Sequence, residues 1–175
     1  MSERERVPRA GYRLDEVYAL EQHHRLLAGD ELDELPEGEE DGDRNFHVVW
    51  DWQLGTEART FGVFLGIVVE PTRAVPEEVR IGMIGSFTIE GEVQSLGLRP
   101  FLLKSAPAIL FPYLRETVRS LTGRGPFGGW TVPPVNMVAL AESHDFEKAT
   151  GTRDLREDPD RAAGLGLSRE LAKPV

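Results

Sequence analysis

The sequence has no cysteine, which excludes a disulfide scaffold, a thiolate metal site and a cysteine nucleophile. It has no long apolar run either. The longest, Phe61 to Val69, contains two glycines and falls far short of the ~20 residues a membrane-spanning helix needs, so no membrane insertion is expected. Bases are scarce: Lys and Arg number 20 against 30 Asp and Glu, a net charge of -10. Affinity for nucleic acid is built largely from clustered Lys and Arg, so nucleic acid is not an expected partner. Residues 1–6 are mixed in sign and lead into no apolar signal segment, which points to the cytoplasm. What is present is a chain of 175 residues, 40% hydrophobic, the length of one ordinary domain that lives on its apolar core.

The acidity is local. Residues 1–43 hold fourteen acids against five bases, while the rest of the chain is nearly balanced. Its centre is the segment 28–43, where Asp30 to Asp43 contributes nine carboxylates and no base. Such a run repels itself and reads as an exposed loop. It lacks the Asp-x-Asp-x-Asp-Gly spacing of a calcium loop.

From Phe46 the chain alternates, with Phe46, Val48, Trp50, Trp52 and Leu54 on one parity, the period-2 mark of a half-buried strand. The next run puts Phe61, Val63, Leu65, Ile67 and Val69 on one face and Phe64 and Val68 on the other, so both faces are expected to be covered. After a turn from Pro71 to Pro76, the residues Val79, Ile81, Met83, Phe87 and Ile89 alternate again. A weaker alternation, Tyr12, Leu14, Tyr18 and Leu20, reads as a first strand. The period then changes: Leu110, Leu114, Val118 and Leu121 recur at the spacing of an amphipathic helix, with Pro107 and Pro112 imposing a bent entry. Gly123 and Gly125-Pro126 end it, and Pro133-Pro134 opens a second helix over roughly 135–149. Strands first and helices afterward predict an α+β fold, a four-stranded antiparallel sheet with C-terminal helices packed on one face. The domain is expected to span 1–150, with a fraying tail over 151–175.

Catalytic constellations are missing. Gly123 to Gly128 satisfies G-x-G-x-x-G as a string, yet it closes a helix where a dinucleotide loop would open one. His23, His24, His47 and His144 form no HExxH or compact ligand set, so no metal and no cofactor is expected. Ser143-His144-Asp145 is contiguous in sequence, which is not how a spatial triad is assembled. The sequence does not read as an enzyme.

One stretch carries specific information: Ala108-Ile109-Leu110-Phe111-Pro112-Tyr113-Leu114-Arg115-Glu116, then Arg124-Gly125-Pro126-Phe127, then Pro134-Val135-Asn136-Met137 with Ala139-Leu140. It resembles the helix–loop–helix signature of the SecB chaperones, in the same order and without gaps from Ile109 to Leu140. Phe87-Thr88-Ile89-Glu90-Gly91 is similar to a strand end of that family, and Tyr12 to Tyr18, more loosely, to its first strand. The resemblance implies a cytosolic homotetramer, a dimer of dimers, that holds unfolded or precursor polypeptides in apolar grooves without ATP. It also implies that the helix over Ala106–Thr122 joins dimers, that sheet edges pair between protomers, and that export members deliver clients to the SecA motor.

For this chain the resemblance places client contact at Phe127, Trp130, Val132, Val135, Met137 and Leu140. The same residues would also serve to pack the last helix on the sheet. It places motor docking at Glu21, whereas Arg25 and Arg80 stand where the family has acids, reversals that oppose docking to a basic surface. The connector that carries groove aromatics in the family is here the acidic run, with only Leu32 and Leu35. Besides a general export holdase, the sequence is compatible with a dedicated chaperone of a toxin–antitoxin system, a small-ligand protein or enzyme on the same frame, or a structural assembly partner.

Overall fold

A computed structural model of the chain describes residues 11–37, 44–54, 59–90 and 100–143. The alternating stretches form strands β1 (Tyr12–Leu26), β2 (Phe46–Leu54), β3 (Thr60–Val69) and β4 (Glu77–Ile89). The 3-4 periodic stretch forms helix α1 (Ala106–Thr122), and a short helix α2 (Met137–Ser143) follows. The strands make one antiparallel sheet in the order β1-β4-β3-β2, and α1 packs across β3 and β4, as the α+β expectation required.

The core is the α1 face of the two central strands. Phe61, Val63, Leu65, Ile67 and Val69 of β3 and Val79, Ile81 and Phe87 of β4 are shut off from solvent, as are Leu110, Leu114 and Val118 of α1. Gly85 lets the helix come this close: a Cβ there would stand 2.5 Å from Leu110 Cδ2. Burying each of those side chains contributes ~1.5–3 kcal/mol, which is how a chain without disulfides holds its shape. The second face of β3 is covered too, as expected. Phe64 is buried there and lies over Gly66, whose Cβ would meet the ring at 2.9 Å.

Three local outcomes differ from the sequence pattern. β1 is bulged at Asp15 and at Leu20, so Tyr12 and Leu14 pair on the core side with Ile89 and Phe87, while Tyr18 pairs with Ile84 on the outer face. An extra residue in one strand swaps the facing of everything after it, which period-2 reading cannot see. The bent entry to α1 is a wide π-helical turn, Phe101–Ser105, that buries Phe101 and Leu102 and runs straight into the helix, with Pro107 in its first turn. Helix α2 begins two residues later than expected, at Met137; residues 144–149 and the tail 151–175 lie outside the described residues.

Strands β1 and β2 are the two edges, so the connection between them, which carries the acidic segment, crosses from one edge to the other. It begins with a single 3-10 turn, Gly29–Leu32, and is tied to the β3–β4 turn by Arg73, which donates to Leu32 O (3.3 Å) and Asp33 O (2.8 Å). Residues 38–43 of the run lie outside the described part.

Candidate functional site

The residues of the helix–loop–helix signature have structural tasks that explain their identity. Segment 123–136 leaves α1 and folds back along it. The Thr122 hydroxyl is buried, donates to Val118 O (2.9 Å) and accepts the Trp130 N–H (2.9 Å). Arg115 Nε donates to Val132 O at 2.7 Å, and its guanidinium lies 5.9 Å from the Phe111 ring centre. At the start of α2, Asn136 Oδ1 accepts the Ala139 N–H (3.1 Å), the cap that starts a helix directly after two prolines. Arg115 and Asn136 thus fix where the loop ends and the last helix begins.

Gly125 sits over a buried charge. Glu77, the first residue of β4, continues the apolar parity of that strand inward, and its side chain is fully buried. Its Oε2 accepts from Arg44 Nη1 at 2.7 Å, and Oε1 lies 3.3 Å from His24 Nε2. A Cβ on residue 125 would stand 2.3 Å from the same Oε1, so the carboxylate demands glycine there. The Arg44 guanidinium is itself buried and lies 5.4 Å from the centre of the Trp130 ring, which meets Phe46 edge-on at 5.7 Å. Four segments distant in sequence therefore meet at one polar node beneath the loop. A carboxylate at an inward position of a strand must find a base, a signal that the sequence reading, which followed the alternation only from Val79, did not use.

The six sequence-nominated residues do not lie at one depth. Phe127 stands 44% exposed at the loop tip, beside Gly128 with φ +76°. Trp130, Val135 and Leu140 are half-buried at the margin of the core. Val132 and Met137 are in the core, at 0% and 5% exposure, the first drawn in by the Arg115 bond to its carbonyl. The sequence reading missed three companions. Phe46, Val48 and Trp52 of β2 share the helix-bearing face, through their pairing with Val69, Ile67 and Val63, and they too are only half-covered.

On the opposite face, Glu21 of β1 pairs in register with Gly82 of β4. Four residues along β4 from Gly82, Glu78 is held by this chain's own cations: Arg80 Nη2 donates to Oε1, Arg25 Nε donates to Oε2 (3.2 Å), and His23 lies 3.6 Å away. Burial pushes the Glu78 carboxyl up, but the charges of Arg80, Arg25 and His23 outweigh it and hold the pKa below the usual glutamate range. Arg25 also binds Glu31 at 2.9 Å. On the helix-bearing side, Ile109 and Tyr113 of α1 are exposed, as is Tyr18 at the edge strand, and a cleft of about 600 Å³ separates β1 from α1, lined by Leu14, Val17, Ala19, Met83, Tyr113 and Thr117 among others. Among the described residues no group of His, Asp and Glu could hold a metal ion, and no helix is long and apolar enough to cross a membrane.

This combination of sheet order, helix and motif-built loop can be set against known proteins. The family model described as preprotein translocase subunit SecB matches residues 56–148, more than half of the chain. The chain belongs to the SecB family. Among curated SecB relatives, the protein-export protein SecB of Haemophilus ducreyi is 33% identical over 108 residues, covering 54% of this chain and 62% of that protein. That of Actinobacillus succinogenes is 36% identical over 103 residues, 54% of this chain and 61% of that protein. The chain thus spans about six tenths of the length of these SecB relatives. Among solved structures, a SecB-like chaperone of Mycobacterium tuberculosis, in complex with an antitoxin peptide, shares the fold with a TM-score of 0.54 at 14% identity, over 72% of this chain and 88% of that one. The resemblance drawn from the motifs is borne out in family and in fold.

Proposed function

We propose that the protein is an ATP-independent holdase that binds unfolded or precursor polypeptides through apolar surface and performs no bond-making chemistry. The observation that carries this is the open band on the helix-bearing face: exposed Phe127, half-covered Trp130, Val135 and Leu140, and half-covered Phe46, Val48 and Trp52 of the neighbouring edge strand. Unfolded chains expose Leu and Phe, and each one buried against such a band yields ~1.5–3 kcal/mol. Val132 and Met137 contribute from below, by supporting the segment.

A single contact of this size is weak, and a homotetramer resolves that. With four bands linked, every contact after the first is intramolecular, and a long chain is held far more tightly than any one of its segments. Exposed Ile109 and Tyr113 on α1 and the edge strand β1 supply surface for such an assembly. The holdase works in the cytoplasm. The test is stoichiometric: one tetramer per unfolded chain should delay aggregation of a denatured test protein, with the mass of the intact complex read directly. An intact fold that neither delays aggregation nor gains mass would sink the reading.

One observation favours a dedicated client over general export. Glu78 is neutralised by Arg25 and Arg80, so beside Glu21 the outer face carries charges of both signs. A basic motor surface gains little from such a face. Capture from the native cytosol separates the two, since one dominant client supports dedication and many precursors support export.

A further inference from the structure

We propose that the buried Arg44–Glu77 ion pair positions the client-facing loop, setting the height and order of Phe127–Trp130 above the sheet. What the loop does rests on the holdase reading; that it is held by this pair rests on geometry alone.

The loop has little rigidity of its own. Four of its seven residues from 123 to 129 are glycines, the residue that loses most freedom when fixed, and its internal bond from Gly128 N to Gly125 O is long at 3.4 Å. Order must be imposed from outside. Thr122 and Arg115 hold the far end, at Trp130 N and Val132 O, and the last turn of α1 holds the near end through Gly125 N to Thr122 O at 2.8 Å. The underside between them rests on the pair: the Glu77 carboxylate fills the space beneath Gly125, and the Arg44 guanidinium lies against the Trp130 ring.

Stability alone does not call for such a pair. Two charges taken out of water regain little more than they lose, and apolar residues of similar volume serve a core as well or better. What charges add is uniqueness, because a carboxylate satisfied by Arg44 and His24 tolerates one arrangement of its surroundings. Arg44 is also the first residue after the acidic run, one peptide from Asp43, and its neighbour Asn45 is fastened to β3 through Glu70 N at 3.0 Å. The pair therefore joins the end of the edge-to-edge crossover to the loop that meets the client.

The test uses the full chain carrying Arg44→Met together with Glu77→Leu, which leaves no lone charge. Amide hydrogen exchange over 124–130 should accelerate at least tenfold while β3 and β4 stay protected. Affinity for reduced, carboxymethylated α-lactalbumin, which cannot fold, should fall about tenfold. Arg44→Lys, keeping the charge but losing the planar fork, should fall between the two, and Phe127→Ala should weaken binding without changing exchange. Unchanged exchange at 124–130 in the folded double variant overturns the proposal. Should that variant not fold, Gly125→Ala on the intact pair is read the same way, since its Cβ must displace the carboxylate. If the parent protein ignores the unfolded probe while the variant loop still loosens, the holdase reading fails and the positioning role stands.

Discussion

The helix-bearing face of the sheet contains two environments made of the same kinds of residue. Over β3 and β4, Phe61, Leu65, Ile81 and Phe87 lie dry beneath Leu110 and Leu114. One strand outward, Phe46, Val48 and Trp52 remain half-covered, as do Trp130, Val135 and Leu140 of the last segment. Hydrophobicity does not distinguish the halves; the roof does. Helix α1 has 17 residues, about 26 Å of cover, and it lies on β3 and β4; among the described residues the short helix α2 packs on the π-helical turn 101–105 instead. A fold that leaves this much apolar surface outside the cover of α1 gives up roughly 1 kcal/mol or more per large side chain in the isolated chain. That surface is available to partners, whereas the roofed half is available only to itself.

The contrast can be attacked from either side. Glu77→Ala should be the most damaging single change, because it strands the Arg44 charge in the interior, at a cost of about 3–5 kcal/mol in urea unfolding. A loss below 1 kcal/mol would mean that water reaches the node. Leu110→Ala in the roofed half should cost about 2–5 kcal/mol and leave client affinity per folded molecule unchanged. Weaker holding by the folded variant would break the division between the halves. In the open half, Phe127→Ser should lower holding several-fold with less than ~0.5 kcal/mol of stability lost, since the ring is exposed. Full affinity in that variant removes Phe127 from the surface. Asn136→Ala should cost about 1 kcal/mol and raise hydrogen exchange across α2.

The smallest effect concerns pH. The pKa of Glu78 is lowered in the fold, so its contribution is present above the unfolded value near ~4.3 and is lost as pH falls through the lower folded value. The parent should therefore be more stable than Glu78→Gln at pH 7, with the gap in Tm narrowing below about pH 4.3 and closing in stronger acid. A gap independent of pH would show that the Arg25 and Arg80 contacts do not act through charge.

Most of the scaffold was legible in the sequence because one face of each strand is buried, which ties register to the alternation of Phe46–Leu54, Phe61–Val69 and Val79–Ile89. The facing of β1 was not, because its two bulges leave no mark in a period-2 pattern. Helix α1 announced itself through Leu110, Leu114 and Val118. The motif located the loop without giving its depth: Val132 and Met137 are sunk by a clamp from Arg115 and by the short helix itself, and an extended stretch without period cannot reveal that. Glu77 was not read, because the alternation was followed only from Val79, and its partner Arg44 lies 33 residues away, where no local spacing rule connects them.

The order β1-β4-β3-β2 also has a consequence for how the protein is made. The first strand emerges from the ribosome with its own partner not yet translated: Arg13 meets Glu90 across 77 residues, roughly 4–15 seconds of synthesis at ~5–20 residues per second. During that interval the β2–β3 hairpin can assemble while β1 waits as a nascent, unprotected ribbon. This chain begins life in the condition of the clients it is proposed to keep.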